Sequence, residues 1–141
     1  FGMIANLDEN VARLEQFLER SGLKENTIII FMTDNGGTAG VPVFNAGMRG
    51  RKTQLYQGGH RVPCFVRWPA GRLRPPGDID TPAQMQDILP TLIDLCRLTN
   101  RTRFDGRSLA PLLRDAKAQL ADRMFVVQYG QILKKWENIN K

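Results

Sequence analysis

Along residues 3–23, MIANLDENVARLEQFLERSGL, apolar side chains recur at Ile4, Leu7, Val11, Leu14 and Leu18. Steps of three and four put them on one face of a helix, with Asp8, Glu9, Arg13, Glu15 and Glu19 on the others. Gly22 stands where a helix C-terminus is capped. Residues 28–32, IIIFM, then run apolar without alternation and are rich in β-branched side chains. That pattern predicts a central strand covered from two sides. A surface helix leading directly into such a strand marks an α/β fold.

Beyond the strand the periodicity stops. Residues 36–61 are dense in glycine and follow no repeat, and a connection of that length in a domain is usually functional or disordered. RVPCFVRWP, 61–69, reads as a second strand ending at Pro69, and 70–82 as a loop. A helical segment is expected from Thr81 as N-cap, with Pro82 in its first turn. Pro90 should kink it or start a second helix after Asp87. FDGRSLAPLL, 104–113, is a turn followed by a short apolar patch, and MFVVQY, 124–129, is a last strand candidate. The chain carries no internal repeats, heptads or low-complexity tracts.

Size and charge narrow this picture. A chain of 141 residues suits one domain with a sizeable core, and 42% hydrophobic with 24% charged residues excludes a disordered composition. No apolar run approaches the roughly 20 residues that span a bilayer, so no membrane partner is expected. Phe1 opens an amphipathic helix rather than a secretory signal, and a first residue other than Met suggests a start inside a longer reading frame. Net charge is +6, and no acidic residue occurs between Asn35 and Asp78, an interval holding Arg49, Arg51, Lys52, Arg61, Arg67, Arg72 and Arg74. Such a block suits an anionic partner or a solvated basic face. Nucleic acid is not expected, because interleaved aromatics and named binding motifs are missing. Cys64 and Cys96 lie in strand-like and apolar surroundings and are expected as buried thiols; they do not define a compartment.

The chemistry gathers at IIIFMTDNGG, residues 28–37. In open α/β sheets ligand sites lie beyond the carboxyl ends of strands, where Asp34 and Asn35 fall. A carboxylate and an amide oxygen suit a hard divalent cation, and the following glycines leave room for a ligand. Asn-Gly is equally a turn dipeptide, so the residues alone leave both readings open.

A second stretch, MRGRKTQLYQGGHRVP at 48–63, joins this one. Together they resemble the sulfatase family, formylglycine-dependent sulfate ester hydrolases of alkaline-phosphatase-like fold. Its strand ends in Asp-Asn-Gly, and its loop reads Arg-Gly-x-Lys-x-x-x-aromatic-Glu-Gly-Gly-x-Arg-Val-Pro. Arg49, Gly50, Lys52, Tyr56, Gly58, Gly59, Arg61, Val62 and Pro63 correspond. The entry helix, DILPTLIDL and FDGRSLAPLL also look like family segments. The resemblance implies that Asp34 and Asn35 are metal ligands, the cation being Ca²⁺. It implies that Lys52 contacts the sulfate of an ester substrate and offsets charge developing in the transition state. Gln57 stands where the family has Glu, which puts any ion pair of that residue in doubt. His60 reads as a surface residue, and Arg49 and Arg61 as braces of the loop.

Neither cysteine sits in the family's Cys/Ser-x-Pro/Ala-x-Arg nucleophile motif, and the Asp-Asp pair that completes its metal site has no counterpart here. The expectation is therefore the C-terminal portion of a sulfatase catalytic domain spanning 1–141, a partial sheet with flanking helices. Residues 1–69 would give helix, metal strand and lysine loop, and 70–141 the downstream helices and the start of a C-terminal subdomain. By itself the chain should hydrolyse no sulfate ester, and its uncovered apolar face should favour self-association. The alternatives are a phosphonate or phosphodiester hydrolase of the same superfamily, or a non-catalytic anion-binding module. The resemblance is compatible with a periplasmic or secreted location, which no residue pattern fixes.

Overall fold

The structure is a computed structural model and describes residues 2–126. Helix α1, Gly2–Arg20, comes first, followed by strand β1, Ile29–Met32. A one-turn helix α2, Gln57–His60, precedes strand β2, Cys64–Arg67, and a 3₁₀ turn at Pro69–Gly71. A second 3₁₀ turn, Met85–Asp87, runs into α3, Ile88–Leu95, and α4 is Ala110–Arg114. The chain divides into two compact units, one of residues 1–29 and 66–123, the other of residues 30–65 and 124–141.

The first unit contains α1, α3 and α4. α1 ends as its sequence directs. Gly22 takes φ +67°, its N–H donates to the Glu19 carbonyl, and the Leu23 N–H reaches back to Leu18. This is the Schellman arrangement, which satisfies carbonyls the helix leaves open. The apolar stripe of α1 is real but mostly uncovered: Leu18 is its one buried residue, while Ile4 is 65% and Phe17 55% exposed. A partly exposed ion pair from Arg67 to Glu15 at 2.5 Å adds a tether worth at most about 1 kcal/mol.

The core of this unit sits elsewhere. Leu18, Leu95, Ala110 and Leu112 are its buried apolar side chains, joined by Asp87 and Thr91. The helix expected from Thr81 begins later. Residues 81–84 are irregular, and a capping box at the 3₁₀ turn replaces the Thr81 cap: the Gln84 N–H donates to Asp87 Oδ2 at 2.8 Å. α3 then starts after Asp87, with Pro90 in the first turn, where a missing N–H costs nothing.

Asp87 at the N-cap of α3 and Thr91 and Asp94 within it are spaced four and three apart and share one face. They hold three consecutive residues of the next segment. The Arg107 N–H donates to Asp87 Oδ1 at 2.9 Å, the Leu109 N–H to Thr91 Oγ1 at 2.8 Å, and Ser108 Oγ to Asp94 Oδ2 at 2.7 Å. Arg123 closes the arrangement, donating from Nη1 and Nη2 to the two oxygens of the Asp87 carboxylate. Burial pushes the Asp87 carboxyl up, but the Arg123 guanidinium and the N–H groups of Arg107 and Gln84 outweigh it and hold it below the ordinary value.

β1 and β2 form a two-stranded sheet. It runs antiparallel: Gly36 N–H bonds the Gly59 carbonyl beyond one end, and Ala70 N–H bonds the Glu25 carbonyl beyond the other. Phe31 and Phe65 face each other at 6.3 Å between ring centroids. A central strand covered on both sides is not what forms. With a single neighbour among the described residues, β1 has no buried side chain, and Phe31 is 36% exposed. Both cysteines are free and exposed, against the expectation of buried thiols; the four-residue β2 leaves Cys64 uncovered, and Cys96 lies just past the end of α3. Met124–Val126 form no strand, and the rest of that candidate lies outside the described residues.

Candidate functional site

The strand-end loop belongs to the second unit, and its backbone explains its glycines. β1 stops at Met32; Thr33 follows, and Asp34 and Asn35 form a bend. The chain then makes a long excursion and returns. Gly36 donates to the Gly59 carbonyl at 3.0 Å, Gly58 to Arg49 at 2.8 Å, and Lys52 to Gly37 at 3.0 Å. A side chain at Gly36 would collide with the Gly58 carbonyl, and one at Gly58 with the Gly50 carbonyl. Backbone is packed on backbone here, and only glycine permits it. Asn45 pins the middle of the loop, donating from Nδ2 to the Met48 and Gly50 carbonyls at 2.6 and 2.8 Å.

Lys52 stands at the tip of a tight turn. The Gln54 N–H closes the turn on the Arg51 carbonyl at 3.0 Å, which makes Lys52 and Thr53 its central residues. Thr53 has φ +72°, a conformation that β-branched residues avoid. The turn leaves the Lys52 side chain exposed, and among the described residues its ammonium makes no hydrogen bond or ion pair. The backbone of Lys52 is thus tied two residues beyond Asn35.

Asp34 is exposed, and its carboxylate has no partner among the described residues. Asn35 is half-buried, and its Nδ2 donates to the Gly36 carbonyl at 3.1 Å. That engages the nitrogen and leaves Oδ1 as the uncommitted atom. Two hard oxygen donors on adjacent residues fit a divalent cation chemically, yet such ions take six to eight oxygens. Among the described residues no group of three or more His, Cys, Asp or Glu side chains gathers around one point.

The remaining loop residues act as braces. The Arg49 guanidinium lies 3.7 Å from the Tyr56 ring centroid and donates to the phenolic oxygen at 2.7 Å. Arg61 donates to Gln57 Oε1 at 3.5 Å, a neutral contact where a Glu would make an ion pair. His60 is exposed. Asn45 and Thr53 were not singled out by sequence pattern; the signal for Asn45 was its place ahead of Ala-Gly, and Thr53 had none.

A strand ending in Asp-Asn-Gly-Gly, followed by a glycine-packed loop whose Lys52 backbone bonds to Gly37, belongs to an α/β domain. The chain belongs to the sulfatase family, whose profile matches residues 1–98. It is 34% identical over 120 residues to the uncharacterized sulfatase YdeN of Escherichia coli, covering 83% of this chain and 21% of that protein. Mouse steryl-sulfatase is 34% identical over 136 residues, 89% of this chain and 22% of its own length. An endo-4-O-sulfatase of Bacteroides thetaiotaomicron is 30% identical over 122 residues, 85% and 23% respectively. The chain therefore spans a little over a fifth of the length of these curated relatives. The family is one of sulfuric ester hydrolases, and membership implies an alkaline-phosphatase-like fold.

Proposed function

We propose that this chain supplies one wall of a sulfatase active site, with Asp34 and Asn35 holding a divalent cation and Lys52 contacting the sulfate group of an ester substrate. One observation supports it most: the loop folds back so that Lys52 is hydrogen-bonded at its backbone to Gly37, beside the two oxygen donors. A divalent cation, Ca²⁺ by family resemblance, would be held by the Asp34 carboxylate and the Oδ1 of Asn35, and would supply positive charge to an anionic substrate. Lys52 brings a mobile ammonium on a short turn, suited to a group whose negative charge grows as the ester bond breaks. The turn fixes its Cα while its four-carbon stem leaves the charge free to follow the leaving oxygen.

The test is Lys52→Ala in a sulfatase polypeptide containing this chain, with 4-nitrophenyl sulfate as substrate. Loss of one electrostatic contact made in the transition state should cut kcat/KM by about 10²–10³ with unchanged circular dichroism. A variant retaining more than about half the parental rate contradicts the assignment. Among the described residues Asp34 and Asn35 are the donors assigned to a cation and no nucleophile is assigned, so purified chain should release no nitrophenol.

A further inference from the structure

Away from the strand-end loop, polar groups without partners collect around one cleft of the first unit. Its volume is about 640 Å³. Ile28, Trp68 and Leu95 give it apolar walls, and Arg72, Arg97 and Arg114 bring three guanidinium groups. Among the described residues no carboxylate lines it. Among the described residues neither the Arg72 nor the Arg97 side chain makes a hydrogen bond or ion pair, though the Arg97 backbone N–H donates to the Asp94 carbonyl, and the Arg114 guanidinium reaches Asp94 only at 3.6 Å. The indole Nε1 of Trp68 is buried with no acceptor.

The backbone accentuates this. Arg72 and Arg97 adopt φ +52° and +54°, left-handed conformations that Asn or Gly would hold more easily. Between Trp68 and Arg72 stands Gly71, where any side chain would strike the indole ring. The ring therefore lies directly on the backbone that leads into Arg72. Arginine at strained positions, beside an aromatic face and a buried donor, leaves the cleft with donors and positive charge, and the oxygens of Asn26 and Thr27 bring no charge to offset it. Buried donors without acceptors are unfavourable, and guanidinium groups suit planar or tetrahedral oxyanions.

We propose that this cleft binds an oxyanion carried on a ring, a sulfate or carboxylate on a sugar or aryl group. The arginines take the anion, and the ring lies against Trp68, Ile28 and Leu95. The volume favours a ring-bearing ligand over a bare ion, since it falls in the range of organic-ligand clefts. None of the residues assigned to the metal and sulfate contacts takes part, so the proposal stands or falls independently of them.

The experiment follows Trp68 fluorescence in the full chain carrying Trp136→Phe, which leaves Trp68 as the single tryptophan. The probes are a sulfated disaccharide, its desulfated counterpart, phenyl sulfate and inorganic sulfate. Saturable quenching is expected with the sulfated disaccharide or phenyl sulfate, at least about tenfold tighter than with inorganic sulfate, and absent with the desulfated sugar. Whichever ring binds tighter identifies the source. Arg72→Asn with Arg97→Asn removes both charges while suiting the left-handed backbone, so the fold is kept; it should weaken binding by about tenfold or more. Lys52→Ala should leave binding unchanged. No saturable signal, equal affinity for inorganic sulfate, unaltered binding in the double Asn variant, or loss with Lys52→Ala would each overturn the proposal.

Discussion

Replacing Asp87 by Asn is the most informative perturbation of this fold. The carboxylate is fully buried and receives four N–H groups: the backbone of Gln84 at 2.8 Å and of Arg107 at 2.9 Å, and two from Arg123. Asn keeps the volume but offers one acceptor oxygen, and turns an NH₂ toward groups that are themselves donors. At least two inward donors then lose their acceptor, at about 1–3 kcal/mol each, and Arg123 loses its counter-charge. Breaking a buried pair from one side costs roughly 3–5 kcal/mol, a large share of the 5–15 kcal/mol typical of a domain. Urea unfolding at neutral pH, followed by far-UV circular dichroism, should show that loss as a lower midpoint. The pH dependence supplies a second readout. Asp87 has a folded-state pKa below its unfolded one, so its contribution is complete above the unfolded value near 4 and fades as pH falls through the lower folded value. Parental stability should therefore fall more steeply below about pH 4 than that of Asp87→Asn. A variant within about 0.5 kcal/mol of the parent, with the same acid limb, would refute the view that this carboxylate organises the unit.

Two further predictions concern the loop. Gly36→Ala sets a methyl against the Gly58 carbonyl, a backbone atom that cannot swing aside, so the bond from residue 36 to Gly59 should open. Hydrogen exchange at that amide should accelerate, and unchanged protection would show that the loop tolerates the side chain. Thr53→Asn replaces a β-branched residue at φ +72° by one that accepts that conformation, and should raise unfolding stability by about 1 kcal/mol. No gain in the urea midpoint would mean that the turn carries no strain.

What the sequence disclosed follows the reach of its signals. Local periodicity placed α1 and its glycine cap, both strands and the start of α3 after Asp87, since each depends on neighbours within a turn or two. Asp87 escaped notice because its partners lie 20 and 36 residues downstream, and a polar residue inside an apolar stretch gives no hint of them. Thr81 misled for a related reason: it has the chemistry of an N-cap, but the Gln84–Asp87 box fixed the helix start where the buried carboxylate had to be. The stripe of α1 says which face favours cover, not what covers it, so a correct helix came with an unmet expectation of packing.

The loop shows the same limit from the other direction. Glycine density and the resemblance pointed to residues 34–63, yet composition cannot say which glycines touch. Gly36 turns out to lie against Gly58 and Gly58 against Gly50, alongside the closures at Gly36–Gly59 and Lys52–Gly37. A lysine on a loop is ordinarily a solvated charge that any substitution nearby leaves alone. Here its backbone is tied to Gly37, well upstream in the chain, by packing that runs through Gly36, Gly50, Gly58 and Gly59. The backbone of Lys52 is thus tied to Gly37 by residues that carry no chemistry of their own. Reactivity at such a site should be as sensitive to a methyl group at Gly58 as to removal of the charge itself.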